Sequence, residues 1–206
     1  MELYLLRHAE SQMNTRPELI TGRMNEVVLS DDGVKQDSML GEYLLKNNIF
    51  PNIVYSSPAE RTIQTARIAL DSMGMTDTKL VVDCGIQEMD QGEWAGRPKR
   101  EIYVESILRD MELKDKHFKA PSGESMHEVG ERMFNFISSV NNGGEIVFIF
   151  SHAMAIKCLI GFISGLNREE IYNLKVGNAS VTLLVKEDNS LKLTYLGKDY
   201  IDISRL

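Results

Sequence analysis

Two periods of apolar residues alternate along this chain. Short, nearly continuous apolar runs at Leu3–Arg7, Ile53–Ser56, Lys79–Asp83, Glu145–Phe150, Ser180–Lys186 and Leu191–Leu196 read as strands. Between them, apolar residues fall at helical spacing. Gly33–Lys46 carries Val34, Leu40, Tyr43 and Leu44, and Pro58–Met73 carries Ile63, Ala66, Ile68, Ala69 and Leu70. Ser125–Val140 and His152–Gly165 follow the same rule. Two helix starts are well marked. In SSPAER, Ser57 reads as the N-cap, Pro58 as the first helical residue and Glu60 as the far half of a capping box; Ser125 and Glu128 make a second such pair.

Alternation of this kind predicts an α/β fold of three layers, a mainly parallel sheet with helices on both faces. The last two runs, split by KEDNS, predict an antiparallel hairpin. From 97 to 123 the periodicity weakens and charge rises, which predicts a flap or short helical insertion within a single domain spanning 1–206.

Composition narrows the setting without changing this picture. A formal net charge of −7 argues against general nucleic-acid affinity, which needs a basic face. No apolar run is long enough to cross a bilayer, so no membrane partner is expected. Arg7 and His8 interrupt any apolar leader at the start. Cys84 and Cys158 make neither a metal-type spacing nor a disulfide framework, and both are expected to be inert core thiols in a reducing cytoplasm.

The chemistry lies at the ends of the runs. LYLLRH and IVFIFSH each carry an apolar run into a histidine, His8 and His152. In an open α/β sheet ligands bind beyond the carboxyl ends of parallel strands, so the two histidines become candidate neighbours. Arg7 joins the same edge, and so does Arg61, in the first turn of the helix after Ile53–Ser56. An arginine added to a helix N-terminus suits a phosphoryl group, and here two arginines and two histidines converge on one edge. His117 and His127 sit among polar residues and read as surface. Glu88, Asp90 and Glu93 follow another strand; a carboxyl beside a phosphate could serve a leaving group, but spacing does not choose among the three.

Together these residues resemble the histidine phosphatase superfamily, the family of cofactor-dependent phosphoglycerate mutase and its phosphatase relatives. RHAES matches its RHG-E-S/T signature at Arg7, His8, Glu10 and Ser11, followed by Asn14 and by Thr21–Gly22. LSDDGVKQ, SSPAERTIQTA, IQEMDQGEWAG, PSGES and SHAMAIK fall in the family's order and cover nearly the whole chain. The resemblance implies a phosphoglycerate mutase-like fold and a metal-free, cofactor-free mechanism on a small phosphate ester. His8 would be the nucleophile and Glu88 the acid and base. Arg7, Arg61 and His152 would hold phosphate oxygens, with Asn14, Ser11, Thr21 and Gly22 adding hydrogen bonds. Ala9 and Ala153 stand where the family usually has glycine, Lys157 replaces a common arginine and Asn25 a common aspartate.

Mutases of the family follow the acid with R-H-Y and the second histidine with G-N. Here Met89, Asp90 and Gln91 follow the acid, and Ala153 and Met154 follow His152, which favours a phosphatase over a mutase. A phosphate-binding module without catalysis would be expected to lack one of His8, His152 or Glu88. A metal hydrolase would have to place its ion beside two arginines. The exposed sheet edge suggests a homodimer by family resemblance.

Overall fold

A computed structural model of the chain describes residues 1–140, 145–187 and 190–200. Its six-stranded sheet runs in the order β3-β2-β4-β1-β5-β6, with β1 at Glu2–Arg7, β2 at Ile53–Ser56, β3 at Leu80–Val82, β4 at Ile146–Ser151, β5 at Val181–Glu187 and β6 at Ser190–Lys198. The first four strands are parallel; β5 pairs antiparallel to β1 and β6 antiparallel to β5. The turn read at KEDNS falls partly on positions 188 and 189, outside the described residues.

Period-two alternation explains the three layers. Leu3, Leu5, Val147 and Ile149 face α5 (Met126–Ser139) and α6 (Ala153–Ser164), in one core cluster with Met133, Ile137 and Leu159. Tyr4, Leu6, Phe148 and Phe150 point the other way, onto α1 (Asp31–Lys46) and α2 (Glu60–Ser72), where Leu40, Leu44, Ala66 and Leu70 complete a second cluster. Both central strands are therefore buried on two sides, which is why their sequences read as unbroken apolar runs.

Two local expectations need correction. The buried face of α1 is Gly33, Asp37, Leu40, Gly41 and Leu44, whereas Val34 is 45% exposed. Helical spacing counted from Gly33 rather than Val34 gives this face, and a Cβ at Gly33 would collide with the Glu10 carbonyl. The second concerns α2, which starts without a side-chain cap: Ala59 is its N-cap and Pro58 lies outside it. The Ser57 hydroxyl lies instead beside His152. The box at Ser125 and Glu128 forms in full, and Asn167 with Glu170 makes another at α7 (Arg168–Asn173).

The flap segment folds into α3 (Lys99–Ile102), α4 (Glu105–Lys114) and a short 3₁₀ turn at Asp115–His117. It has a small core of its own, in which Trp94, Ile102, Met111, Phe118 and Ala120 pack with Ile20. Cys158 is buried as expected, but Cys84 is exposed, because it opens a 3₁₀ turn capped by Asp83 at the rim of the sheet.

Candidate active site

Arg7 of β1 pairs in register with Ser151 of β4, so the residues that follow, His8 and His152, emerge side by side. The His8 amide donates to the Ser151 carbonyl at 3.0 Å, and the two imidazoles meet edge to face with centroids 5.2 Å apart. Both are buried. A cavity of about 130 Å³ opens over this edge, lined by Arg7, His8, Ser11, Asn14, Thr21, Gly22, Arg61 and Glu88. Met13, Met24, Val27, Ala153 and Met154 complete its wall.

The hydrogen-bond partners fix the tautomer of each ring. His8 Nδ1 lies 2.7 Å from the Ala9 carbonyl, which can only accept, so Nδ1 carries the proton. Its Nε2 faces Arg61 Nε at 3.3 Å, which can only donate, so Nε2 keeps its lone pair. Burial, then Arg7 and Arg61, hold the His8 pKa well below the usual imidazole value of 6.5. The ring is thus neutral with its basic nitrogen on the cavity side. For His152, Nδ1 accepts from Arg61 Nη2 at 3.1 Å and Nε2–H donates to Ser57 Oγ at 2.8 Å. Burial and then Arg61 lower its pKa likewise.

The arginines are held differently. Arg61 donates to the carbonyls of Gly22, Arg23 and Met24 at 3.3, 3.3 and 2.7 Å, which pins the guanidinium against the loop of residues 22–24. Gly22 has φ +113°, and a Cβ there would come within 2.9 Å of Gln91, so the loop's approach needs glycine. Arg7 spends Nη1 on the Val176 carbonyl at 2.9 Å, while its buried Nε–H has no partner. An orphaned donor of this kind costs about 1–3 kcal/mol. Burial lowers the Arg7 pKa to about 10 against the opposing pull of Glu88, so it stays charged at neutral pH.

Of the three candidate carboxylates only Glu88 lines the cavity. Its oxygens accept from the amides of Met89 (2.9 Å), Ala155 (3.0 Å) and Met154 (3.2 Å), the last two in the first turn of α6. Asp90 accepts from the Gly92 amide and pairs with Arg23 at 3.4 Å, and Glu93 is exposed and accepts from Ser122. Glu10 of the RHAES stretch also faces away: its carboxylate accepts from Ser30, the N-cap of α1, at 2.7 Å.

Asn14 reaches the cavity with its carbonyl oxygen taking the Ser11 amide, the Ser11 hydroxyl and Asn178 Nδ2, at 2.9, 3.0 and 3.1 Å. That leaves the two hydrogens of its own amide nitrogen for a ligand. Thr21 and Ser11 line the same wall. His152 is one layer back: it has no exposure, does not line the cavity and backs Arg61. Neither Ala9 nor Ala153 is among the non-glycine residues with positive φ, so a methyl group there brings no backbone strain. His117 is exposed, and His127 is half-buried with its ring 4.6 Å from that of His117. No group of three or more His, Cys, Asp or Glu that could hold a metal occurs among the described residues.

The chain matches the histidine phosphatase superfamily (branch 1) over residues 3–199. It belongs to that family. A Hydrogenobacter thermophilus protein provisionally named phosphoserine phosphatase 2 is 30% identical over 200 residues, 95% of each chain. A 2,3-bisphosphoglycerate-dependent phosphoglycerate mutase of Rhodococcus jostii is 27% identical over 229 residues, covering 97% of this chain and 90% of the mutase. Among solved structures, Bacillus stearothermophilus YhfR superimposes with a TM-score of 0.82 over 96% of this chain and 97% of its own, at 24% identity, a likeness of fold.

Within this histidine phosphatase, several cavity residues have no signal in the sequence. Asn178, which ties Asn14 to the His8 carbonyl (3.3 Å from its Nδ2), follows Gly177 in an ordinary-looking loop. Met13, Met24, Val27 and Met154 read as filler or surface. Ser57 does carry a signal, as a polar residue just past β2, but the capping pattern points it elsewhere.

Proposed function

We propose that this histidine phosphatase hydrolyses a phosphate monoester through a phosphohistidine on His8. The observation that carries the reading is the His8 ring, which lines the cavity: neutral, its proton held on Nδ1 by the Ala9 carbonyl, and its Nε2 lone pair facing the Arg61 guanidinium. In the first step the Nε2 lone pair attacks phosphorus and the bond to the leaving oxygen breaks, with Glu88 as its carboxylic acid giving that oxygen a proton. In the second, water attacks the phosphohistidine, Glu88 takes its proton, and the N–P bond breaks to return neutral His8 and inorganic phosphate. Arg61 must release Nε2 for the first step. A phosphate oxygen is a stronger, charged acceptor for its N–H than the ring nitrogen 3.3 Å away. Arg7, which lines the cavity, and the free Asn14 amide are further donors for the transferring group, whose negative charge the arginines balance. His152 acts through Arg61 as a positioning residue.

Hydrolysis is favoured over the mutase reaction by the cavity's cations. Arg7 and Arg61 are the only ones lining it among the described residues, and both are used on the phosphoryl group, leaving none for the carboxylate of a phosphoglycerate. The test is hydrolysis of p-nitrophenyl phosphate with excess chelator by wild type and by His8→Ala, with rapid quench of labelled enzyme. Activity that survives the chelator and falls by roughly 10⁴-fold or more in the variant, with an acid-labile and alkali-stable phosphoenzyme in wild type only, is expected. Abolition by the chelator, or full activity in His8→Ala, would refute the mechanism. Interconversion of 2- and 3-phosphoglycerate without release of phosphate would favour the mutase.

A further inference from the structure

A second cavity, of about 120 Å³, adjoins the first on the leaving-group side. Met154 lines both, and the chain passes from one to the other between Glu88 and Met89. Gln91, on the wall of the second, is also the residue against which Gly22 of the first is packed. The two spaces therefore meet at the carboxylate that would protonate the departing oxygen.

Their chemistry is opposite. The first is walled by charge. The second is walled mainly by four ring systems, Trp94, Tyr103 and Phe118 among them, and four thioethers, Met89 and Met154 among them, with Gln91, Asp115 and Arg168 as its polar groups. Trp94 meets Tyr103 edge to face with centroids 6.2 Å apart, and Phe118 at 5.7 Å, so the aromatic wall is set before any ligand enters. At its mouth Tyr103 and Tyr172 stay 37% and 63% exposed, an unusual use of large rings on a surface otherwise rich in charge. The volume is close to the ~150 Å³ that an engineered apolar cavity needs to hold a benzene ring. Its two charged groups offset each other: the Arg168 amide donates to the Asp115 carboxylate at 2.7 Å, and Arg168 Nη2 donates to the Met111 sulfur at 3.3 Å.

We propose, resting on the phosphatase reading above, that the leaving alcohol carries a flat apolar ring which occupies this second cavity. Phosphate in the charged cavity and ring in the apolar one place the ester oxygen at Glu88. Methionines and aromatic edges fit a ring by dispersion and leave most of a sugar's hydroxyls without partners.

The experiment compares kcat/KM for benzyl phosphate, phosphoserine and glucose 6-phosphate, whose leaving groups are all alkyl alcohols, with acetyl phosphate as a substrate without a ring. Benzyl phosphate is expected to exceed phosphoserine and glucose 6-phosphate by about tenfold or more. Ala120→Phe, which fills the cavity, should erase the benzyl preference and leave acetyl phosphate within about twofold. Tyr103→Ala, at the exposed mouth, keeps the test valid if Ala120→Phe does not fold, and should lower the preference severalfold. Equal turnover of phosphoserine, glucose 6-phosphate and benzyl phosphate would overturn the inference while acetyl phosphate hydrolysis upheld the phosphatase. Equal loss on every substrate in Tyr103→Ala would also overturn the inference. No hydrolysis of any ester, acetyl phosphate included, would overturn both.

Discussion

The two sides of the cleft are built from different materials. On the sheet side, His8, Arg61 and His152 are buried and tied by hydrogen bonds between residues far apart in sequence. On the flap side, a cluster of a few apolar residues holds two short helices whose ion pairs are exposed: Lys114 with Asp110, Arg97 with Glu101 and Lys119 with Glu128. A buried polar network admits few substitutions, because each lost partner leaves a desolvated group behind. An apolar cluster admits any change that keeps its volume. Reaction and choice of substrate are thereby carried by regions that can change separately.

The sharpest way to break this contrast is Glu88→Gln. The amide keeps an oxygen for the Ala155 N–H, gives up the bond from Met154 and has no acid proton, so kcat on alkyl phosphates should fall by roughly 10²–10⁴-fold, and much less on p-nitrophenyl phosphate, whose leaving group needs little help. Stopped assays on both esters measure it, and equal losses would remove Glu88 from proton transfer.

Trp94→Ala attacks the other side. Opening a hole in the flap cluster should cost about 3–5 kcal/mol of stability by urea unfolding, with acetyl phosphate turnover within a few-fold where the protein is still folded. A collapse of that turnover would mean that the flap helps to build the phosphate site.

Acid exposes the sheet side alone. The unfolded chain protonates its histidines below about pH 6.5, while the fold keeps His8 and His152 neutral. Their contribution is intact above that pH and is lost as pH falls from 6.5 toward their folded values, by up to about 1.4 kcal/mol per pH unit for each histidine. Asp37 works in the opposite sense. It is buried against Thr65 of α2, and burial raises its pKa against the opposing pull of the Thr65 hydroxyl, so its neutral form favours the fold at low pH and this is lost as pH rises. Urea midpoints at pH 7.5, 6.5 and 5.5 should therefore fall more steeply toward acid in Asp37→Asn than in wild type; parallel profiles would contradict the assignment. The smallest effect belongs to the flap's surface. Lys114→Ala, which removes an exposed ion pair, should change stability by no more than about 0.5 kcal/mol in the same assay.

The sheet side is readable in the sequence and the flap side much less so. Strand limits are legible to within one or two residues, since a strand buried on both faces is an uninterrupted apolar run with polar residues where it leaves the sheet. That same rule makes His8 and His152 neighbours from the order of residues alone. It fails at Ser57, where a valid local capping pattern loses to a tertiary hydrogen bond with His152, and at Val34, where the register of α1 is set by close packing of Gly33 on the Glu10 carbonyl. Asn178 and the second cavity are invisible for another reason. Both depend on loops and short helices brought together by the fold, and no periodic signal marks such meetings.

The position of β1 in the sheet also bears on how the protein comes into being. The strand that delivers His8 is made before both of its neighbours, β4 and β5, and Glu2 pairs with Ile146 and Val185. Until these have left the ribosome, Leu3, Leu5 and Leu6 have no sheet to join. His8 and His152 therefore meet late in the making of the sheet, when β4 closes on the strand made first.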